Sequence, residues 1–206
     1  MSPAPVTIGT VLFDGFELLD VFGPLELLSM VSPSPRLVML AESAGAVRSN
    51  QGPRCEAELA LSGDLPLDIL IVPGGMGTRR EMKNAPFLDA LSRRADACPL
   101  VASVCTGSLL LARAGLLDGR RATTNKRAFS WVASQTPGVT WVAQARWVED
   151  GKYFTSSGVS AGMDMALAII ARLFGREASA KAASRAEYEW HEDSAWDPFA
   201  VENGLA

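Results

Sequence analysis

The sequence predicts an α/β fold in which a mostly parallel sheet is covered by helices on both faces. Near-continuous apolar runs of strand length, such as Leu67–Val72 and Leu100–Val104, are typical of strands that are buried on both sides. Each run is followed by a glycine-containing turn and then by a stretch of helical character, and this rhythm indicates parallel strands joined by crossover helices. The chain shows no internal repeat and no linker, so we expect a single domain over residues 1–206.

The N-terminal half supplies the first strands of this sheet. Val6–Phe13 is an apolar, β-branched run of strand length, and Arg36–Ala41 is predicted to be a second strand. Between them, Phe16–Met30 has helical character, and we expect the pair Gly23-Pro24 to interrupt it, because proline fits best in the first turn of a new helix. Val47–Leu61 is predicted to form short strands around a turn.

The C-terminal half contributes mainly helices. We expect them at residues 81–97, with a restart at Pro86, and at 108–117, 160–174 and 176–187. Trp141–Trp147 and Lys152–Thr155 are predicted to pair as an antiparallel hairpin. The tail, residues 188–206, is rich in aromatic side chains, whereas disordered tails are poor in them, so it is expected to pack on the domain.

Composition and charge exclude several classes of function. The net charge is −4, and the 23 acidic and 19 basic side chains form no long run of one sign, unlike the basic face of a nucleic-acid-binding protein. The first residues lack the features of a signal peptide, and the apolar run Met163–Phe174 is too short to span a bilayer. Three irregularly spaced cysteines predict neither a disulfide framework nor a metal site. We therefore expect a cytoplasmic protein with no nucleic-acid or membrane partner.

Cys105 carries the strongest chemical signal in the sequence. It lies between a buried strand and a helix, so the chain has to turn sharply at this residue. Such an elbow holds its turn residue in a strained conformation above the carboxyl edge of the sheet, where open α/β folds place their sites. The helix N-terminus favours a thiolate, so we expect the pKa of Cys105 to lie below the usual value of about 8.5. An isolated cysteine is more often a small buried hydrophobic residue, which stays the interpretation of Cys55 and Cys98.

Two further features are predicted to converge on the same sheet edge. Gly74 and Gly75 follow the neighbouring strand, and glycine lets a backbone N–H approach a ligand closely, although a plain tight turn explains the pair equally well. Asp20 is flanked by apolar residues, and a carboxyl group in an apolar pocket has a raised pKa and can donate a proton. Aspartate is equally common as the cap of a helix, here one that would start at Pro24. The residues alone leave both alternatives open.

Four motifs of the sequence resemble the ThiJ/PfpI family of the class I glutamine amidotransferase-like superfamily. They are LLDVFGPLELL, VPGGMG, SVCTGSLLLARAGLLDGRRATT and SSGVSAGMDMAL, in the expected order over residues 6–176. The resemblance implies a flavodoxin-like three-layer sandwich with a nucleophile elbow, a homodimer, a small-molecule substrate, and no cofactor or metal. It maps the nucleophile onto Cys105 and its carboxylic acid partner onto Asp20. The substrate-binding positions that it implies are Thr106, Gly74, Gly75, Asn125 and Val159.

Within this family the motifs are most similar to the isocyanide hydratase branch. There, a cysteine thiolate attacks the isocyanide carbon and forms a thioimidate, and water then releases an N-formamide while the acid transfers protons. This chemistry needs one soft nucleophile and one nearby acid. Peptidase- and glyoxalase-like branches carry a histidine near the cysteine, whereas the one histidine here is His191 in the tail. Asn125 stands where isocyanide hydratases often have histidine, which predicts a different pocket.

Two other functions stay open at this point. A redox-sensing or protective protein would use Cys105 as a thiolate that peroxide oxidises. The second alternative is a stand-alone ligand-sensing domain, which would bind a ligand without turnover. It is considered because similar domains are fused to helix-turn-helix modules in some transcriptional regulators. Turnover of an isocyanide separates the enzyme from both alternatives.

Overall fold

The computed structural model describes residues 5–205, along which short strands and helices alternate. The strands, in chain order, are β1 (Thr7–Val11), β2 (Arg36–Ala41), β3 (Gly45–Arg48), β4 (Arg54–Ala57), β5 (Leu59–Ala60), β6 (Ile69–Val72), β7 (Leu100–Ser103), β8 (Arg121–Ala122), β9 (Thr140–Trp141), β10 (Trp147–Asp150) and β11 (Tyr153–Ser156). The helices are α1 (Leu18–Leu28), α2 (Thr78–Glu81), α3 (Ala85–Ala97), α4 (Gly107–Arg113), α5 (Phe129–Gln135), α6 (Ala161–Phe174), α7 (Arg176–Arg185) and α8 (Pro198–Glu202). A 3₁₀ turn at Lys126–Ala128 precedes α5.

A seven-stranded sheet in the order β10-β11-β7-β6-β1-β2-β5 forms the centre of the protein. Its strands are parallel except for β10, which pairs antiparallel with β11. Every residue of the central strands β6 and β7 is buried. Helices on both faces exclude water from these strands, which explains why their sequences are apolar throughout rather than alternating.

The helices form one layer on each side of this sheet. From the centre, β1 leads through α1 to β2 in one direction and β6 leads through α3 to β7 in the other, so right-handed crossovers place α1 and α3 on opposite faces. Helices α6 and α7 pack with α1, whereas α2 and α4 pack with α3. The predicted flavodoxin-like three-layer sandwich is therefore confirmed. The assignment of residues 1–206 to one domain stays a prediction.

Helix α1 runs without a break through Gly23 and Pro24, so the predicted interruption at this pair is wrong. Proline inside a helix removes one backbone hydrogen bond and costs about 3 kcal/mol. The close crossing with α6 offsets this loss. A Cβ on Gly23 would lie 2.9 Å from Met163 Cγ, and a Cβ on Gly162 would lie 3.2 Å from Pro24 Cγ. The small residues thus let the two helices pack tightly across the proline.

The predicted hairpin also needs a correction. Its second arm matches β11, but its first arm is β10, which begins where the predicted segment 141–147 ends. Residues 140–141 instead form β9, which pairs in parallel with β8 in a separate two-stranded sheet.

The predicted helix at 81–97 is found as α3, which begins at Ala85 and has Pro86 in its first turn. Asn84 caps this helix, because its Oδ1 accepts the Phe87 N–H at 3.3 Å. Within residues 5–205, no helix has the length and apolar character that crossing a membrane requires.

The C-terminal segment is attached to the domain through Asp164, a fully buried residue of α6. The Asp164 carboxylate accepts hydrogen bonds from Arg146 Nε at 2.7 Å, from the Tyr188 hydroxyl at 3.0 Å and from the His191 N–H at 3.0 Å. Its backbone carbonyl accepts the indole N–H of Trp190 at 3.1 Å. One buried aspartate therefore joins a cation to three residues of the segment.

Arg146 holds the same segment further along the chain. Its N–H donates to the Ser194 carbonyl at 2.8 Å, and its guanidinium lies 3.9 Å from the buried carboxylate of Asp197. Asp197 in turn caps α8 by accepting the Phe199 N–H at 3.0 Å. The predicted packing of the tail aromatics is found in part. Tyr188 and Trp190 are half-buried against the core, whereas Trp196 and Phe199 are exposed in this chain.

Replacing Asp164 with alanine is expected to lower the free energy of unfolding by about 3–5 kcal/mol, because it leaves the buried Arg146 guanidinium without its main partner. Urea unfolding followed by circular dichroism measures the change. Glu149→Ala is the matched control, since it removes the carboxylate of an exposed pair with Arg172 and should have little effect. Equal losses in the two variants would contradict the assignment of Asp164 as the anchor of the segment.

Candidate active site

Cys105 occupies the elbow between β7 and α4. Its φ is 57°, in the left-handed region that residues other than glycine rarely adopt and that costs about 1–3 kcal/mol. Surrounding hydrogen bonds hold this conformation: the Cys105 N–H donates to the Ser157 carbonyl at 2.9 Å, and the Cys105 carbonyl accepts the hydroxyls of Thr124 at 3.0 Å and Ser108 at 3.1 Å. The predicted elbow is therefore present, with its strained residue fixed from three sides.

Gly74 brings the end of β6 against this elbow. A Cβ at this position would lie 2.6 Å from Thr106 N and 2.9 Å from Cys105 Cβ, which are distances that real Cβ atoms do not show. Gly75 follows with a φ of 119°, a backbone conformation that favours glycine. Both glycines are thus required by close approach and backbone geometry, which goes beyond the plain tight turn considered from the sequence.

Asp20 lies in the first turn of α1 and is completely buried. Its Oδ2 accepts the Gly74 N–H at 2.9 Å, and its Oδ1 has no hydrogen-bond partner of standard geometry within residues 5–205. Burial raises the pKa of this carboxyl to about 8, and Glu17 adds to the increase, while the Gly74 N–H and Cys105 oppose it. Asp20 is therefore protonated at neutral pH. The capping alternative is wrong, because no helix starts at Pro24 and Asp20 lies inside α1.

The pKa of the Cys105 thiol is raised above its usual value, so the predicted thiolate is wrong. Burial is the largest cause, since Cys105 is only 7% exposed, and the Asp20 carboxylate adds to it. The N–H groups of Thr106 and Val159 and the Thr106 hydroxyl act on the sulfur in the opposite direction, but they do not outweigh burial. Both members of the Cys105–Asp20 pair consequently hold their protons near neutral pH.

The Thr106 hydroxyl is the centre of a small polar network beside the pair. It accepts the Gly75 N–H at 3.2 Å and the Thr78 hydroxyl at 3.2 Å. Thr106 is itself buried. The Gly75 N–H, which the resemblance places around the substrate, is therefore engaged by Thr106 in this structure. The substrate-binding roles of Thr106, Gly74 and Gly75 stay predictions.

Asn125 and Val159 line a cavity of about 480 Å³ together with residues of α8. Val159 has a φ of 37°, which is strained for a β-branched residue, and its N–H is directed at the Cys105 sulfur. Asn125 Oδ1 accepts the Ala128 N–H at 3.1 Å, and its Nδ2 lies close to Gly158. The two residues are brought together at this cavity, and their roles toward a substrate stay predictions.

Sequence reasoning missed several residues of the site. Ser157 holds the elbow through its backbone carbonyl and Thr124 through its hydroxyl, and Phe199 of α8 lines the cavity. Ser157 belongs to the quoted SSGVS motif, which was the available signal for it, and Phe199 belongs to the aromatic tail that the sequence predicted to pack on the domain. His191 has an exposed side chain and is not among the groups that act on Cys105. Among residues 5–205, no three His, Cys, Asp or Glu side chains form a group that could hold a metal ion.

The pKa of Asp20 predicts a pH dependence of stability. Between about pH 4 and pH 8 the folded protein keeps a proton on Asp20 that the unfolded chain releases, so this stabilising contribution is complete below about pH 4 and is lost as the pH rises through about 8. The free energy of unfolding should fall by about 1.4 kcal/mol per pH unit within this window. Urea unfolding at several pH values measures the slope. Asp20→Asn should remove it, and parallel profiles of the two proteins would contradict a raised pKa.

The thiol is expected to react only at high pH. Alkylation of Cys105 by iodoacetamide, followed by peptide mass analysis, should show a midpoint above the usual value of about 8.5, because burial and Asp20 disfavour the thiolate. In Asp20→Asn the midpoint should move to lower pH, because the negative charge is gone. Asp89→Asn, on the exposed surface of α3, is the control. A wild-type midpoint below about 8.5 would restore the thiolate expected from the sequence.

Comparison with known proteins identifies the family. The DJ-1/PfpI family matches residues 6–172. Isonitrile hydratase from Pseudomonas putida is 34% identical over 181 residues, which cover 88% of this chain and 78% of the hydratase. The HTH-type transcriptional regulator GbdR from Pseudomonas aeruginosa is 31% identical over 192 residues, 90% of this chain but only 51% of the regulator.

Solved structures agree with this assignment. A ThiJ/PfpI family protein from Pseudomonas syringae superposes with a TM-score of 0.83 at 27% identity, covering 90% of this chain and 76% of that one. Drosophila melanogaster DJ-1beta, at 20% identity, gives a TM-score of 0.78 over 91% of this chain and 100% of that one, and it supports the fold alone. From sequence, elbow and fold together, the chain belongs to the DJ-1/PfpI family.

Proposed function

We propose that the protein is an isocyanide hydratase that converts an isocyanide and water into an N-formamide. The observation that carries this proposal is the buried pair of Cys105 and a protonated Asp20 at a strained elbow. The pair supplies a soft nucleophile and a proton donor side by side, which is what addition to an isocyanide carbon needs. The identity with isonitrile hydratase from Pseudomonas putida supports the choice of reaction.

The first half of the proposed reaction adds the thiol to the isocyanide. The Cys105 sulfur forms a bond to the terminal carbon, while that carbon takes the proton of Asp20. The thiol proton passes to the Asp20 carboxylate, so the acid is regenerated. The product is a thioimidate in which the former isocyanide carbon carries one hydrogen and the sulfur. Because a proton enters with the sulfur, the reaction does not require a thiolate before the substrate arrives.

The second half hydrolyses the thioimidate. Water adds to the carbon of the C=N bond as Asp20 passes its proton to nitrogen and takes a proton from the water. The tetrahedral intermediate then breaks its C–S bond, and Cys105 recovers its proton from the hydroxyl group through Asp20. The N–H groups of Thr106 and Val159, which are directed at the sulfur, stabilise the negative charge that develops as it leaves. The released product is the N-formamide, and the site returns to its starting protonation state.

The same observations weigh on the alternative functions. A redox sensor depends on a low-pKa, accessible thiolate, whereas Cys105 is buried and its pKa is raised, so this alternative is disfavoured. A ligand-sensing role without turnover is the second candidate. It is supported by the match to GbdR, of which this chain covers about half. Measured turnover of an isocyanide discriminates the sensor from the enzyme.

We further propose that the protein is a cytoplasmic homodimer that acts on a small molecule without a cofactor and without a nucleic-acid or membrane partner. Leu19 and Phe22 support the dimer, because both are large apolar side chains exposed on α1. Contiguous exposed apolar surface of this kind marks interaction sites. Light scattering after size-exclusion chromatography determines the mass, and a monomeric mass would exclude the dimer.

Asp20→Asn is expected to lower kcat for an aryl isocyanide by about 10²–10⁴-fold, because the shape and the hydrogen bond to Gly74 are kept while the proton donor is lost. Cys105→Ala should abolish turnover. Wild-type activity should fall as the pH rises through about 8, where Asp20 loses its proton. Ultraviolet absorbance of the formamide follows the reaction.

Asp89→Asn serves as the control for this series, since it makes the same substitution at an exposed position of α3. It should retain wild-type activity. Turnover in Asp20→Asn within about two-fold of the wild type would show that Asp20 transfers no proton in the reaction. Complete absence of turnover by the wild type across several isocyanides would favour the sensor.

A further inference from the structure

The cavity beside the elbow is lined by two different parts of the chain and is partly open to solvent. Its inner wall is the segment Ser157–Ser160 together with Asn125–Arg127, and its outer wall is the helix α8. At about 480 Å³ it is within the size range of small-molecule sites, which is roughly 300–1,000 Å³. We refer to it as the elbow cavity.

The inner wall of the elbow cavity is in direct contact with the reactive residue. Ser157 accepts the Cys105 N–H through its carbonyl at 2.9 Å, and the Val159 N–H is directed at the sulfur. A molecule that is bonded to Cys105 therefore lies next to the cavity. Cys105 does not itself line the cavity, which begins at the residues that contact it, Ser157 and Val159.

The charged groups of the lining do not favour a charged ligand in the interior. Lys126 is buried, and its Nζ donates to Thr123 Oγ1 at 2.8 Å and to the Ala145 carbonyl at 2.6 Å. Arg127 and Glu202 are exposed to solvent. The rest of the lining consists of neutral polar residues and of Val159 and Phe199 as its large apolar residues, which suits an uncharged substituent.

The outer wall is held in place by buried contacts. Asp197 is buried at the start of α8, lies 3.9 Å from the Arg146 guanidinium, and accepts the Phe199 N–H at 3.0 Å. The Ser194 carbonyl accepts the Arg146 N–H at 2.8 Å. A wall that is fixed in this way can present a defined surface to a ligand.

Phe199 is the aromatic side chain that this wall presents to the cavity. It is 46% exposed because the cavity is partly open to solvent, so part of this residue has no protein neighbour. We propose that Phe199 determines substrate specificity by packing against a flat aromatic substituent on the isocyanide nitrogen. This inference rests on the proposed hydratase function, and it assigns aryl isocyanides as the preferred substrate class. Aromatic pairs of this kind have geometric preferences and contribute beyond the area that they bury.

Turnover of phenyl isocyanide and of methyl isocyanide tests this specificity. In Phe199→Ala, KM for phenyl isocyanide should rise about three- to ten-fold while kcat changes little, because a contact outside the reacting atoms is lost equally in the ground and transition states. KM for methyl isocyanide should not change. Val201→Ala is the matched control, because Val201 is 66% exposed on the same helix but does not line the cavity, and it should behave as the wild type.

A second measurement does not depend on hydratase activity. Alkylation rates of Cys105 by iodoacetamide and by 2-iodo-N-phenylacetamide are compared by peptide mass analysis at one pH. The preference for the phenyl reagent should fall about three- to ten-fold in Phe199→Ala and stay unchanged in Val201→Ala. If this preference falls but the wild type turns over no isocyanide, the proposed aromatic contact is supported and the proposed hydratase function is overturned. If the wild type turns over isocyanides but Phe199→Ala changes neither KM nor this preference, the hydratase function is supported and the role of Phe199 is overturned.

Two conservative variants keep the test informative if alanine disturbs α8. Phe199→Tyr retains the ring and should match the wild type in both measurements. Phe199→Leu retains apolar bulk without a ring and should show the loss. Identical behaviour of the tyrosine and leucine variants would overturn the proposal, because the aromatic ring would then have no specific effect.

Discussion

The close contact at Gly74 is the constraint on which the site depends. Its N–H donates to Asp20 at 2.9 Å, and its α-carbon lies so near Thr106 and Cys105 that no side chain fits. One glycine therefore joins α1, the end of β6 and the elbow after β7. Parallel strands end at the same edge of a sheet, so the ends of β6 and β7 are neighbours. The contact at Gly74 places the Asp20 carboxyl group beside the Cys105 thiol at this edge.

The protonation state of the pair follows from a competition between burial and local dipoles. Full burial shifts a pKa by up to about 3–5 units, which corresponds to about 4–7 kcal/mol. A helix terminus contributes about 0.3–1 kcal/mol at an exposed site and ~2 kcal/mol in favourable buried geometry. Helix α4 spans only Gly107–Arg113, and Cys105 is almost inaccessible, so burial wins at the sulfur. Burial therefore leaves both the thiol and the carboxyl group of this pair protonated near neutral pH.

The sequence predicts the parts of this site that arise from local patterns. A buried strand followed by Cys105 and a glycine-initiated helix indicates the elbow, and apolar flanks indicate a perturbed carboxyl at Asp20. The predictions are wrong where contacts between distant segments determine the conformation or the protonation state of a residue. Pro24 stays inside a helix because α6 packs across it, and the thiol stays protonated because the surrounding layers bury it. Phe199 was predicted only as one of several packing aromatics of the tail, because its place at the cavity depends on how the tail folds back.

Arg146 connects the two walls of the elbow cavity. Its backbone carbonyl accepts the Ser157 N–H at 2.8 Å, and its guanidinium lies 3.4 Å from the Ser160 hydroxyl, so it holds the inner wall. The same residue pairs with Asp164 and lies near Asp197, so it also holds the outer wall. A buried ion pair is weak evidence for stability, because desolvation opposes the attraction. The importance of this ion pair lies in its position. The Arg146 guanidinium lies 3.4 Å from Ser160 of the inner wall and 3.9 Å from Asp197 at the start of the outer wall, so one buried cation lies between the two walls.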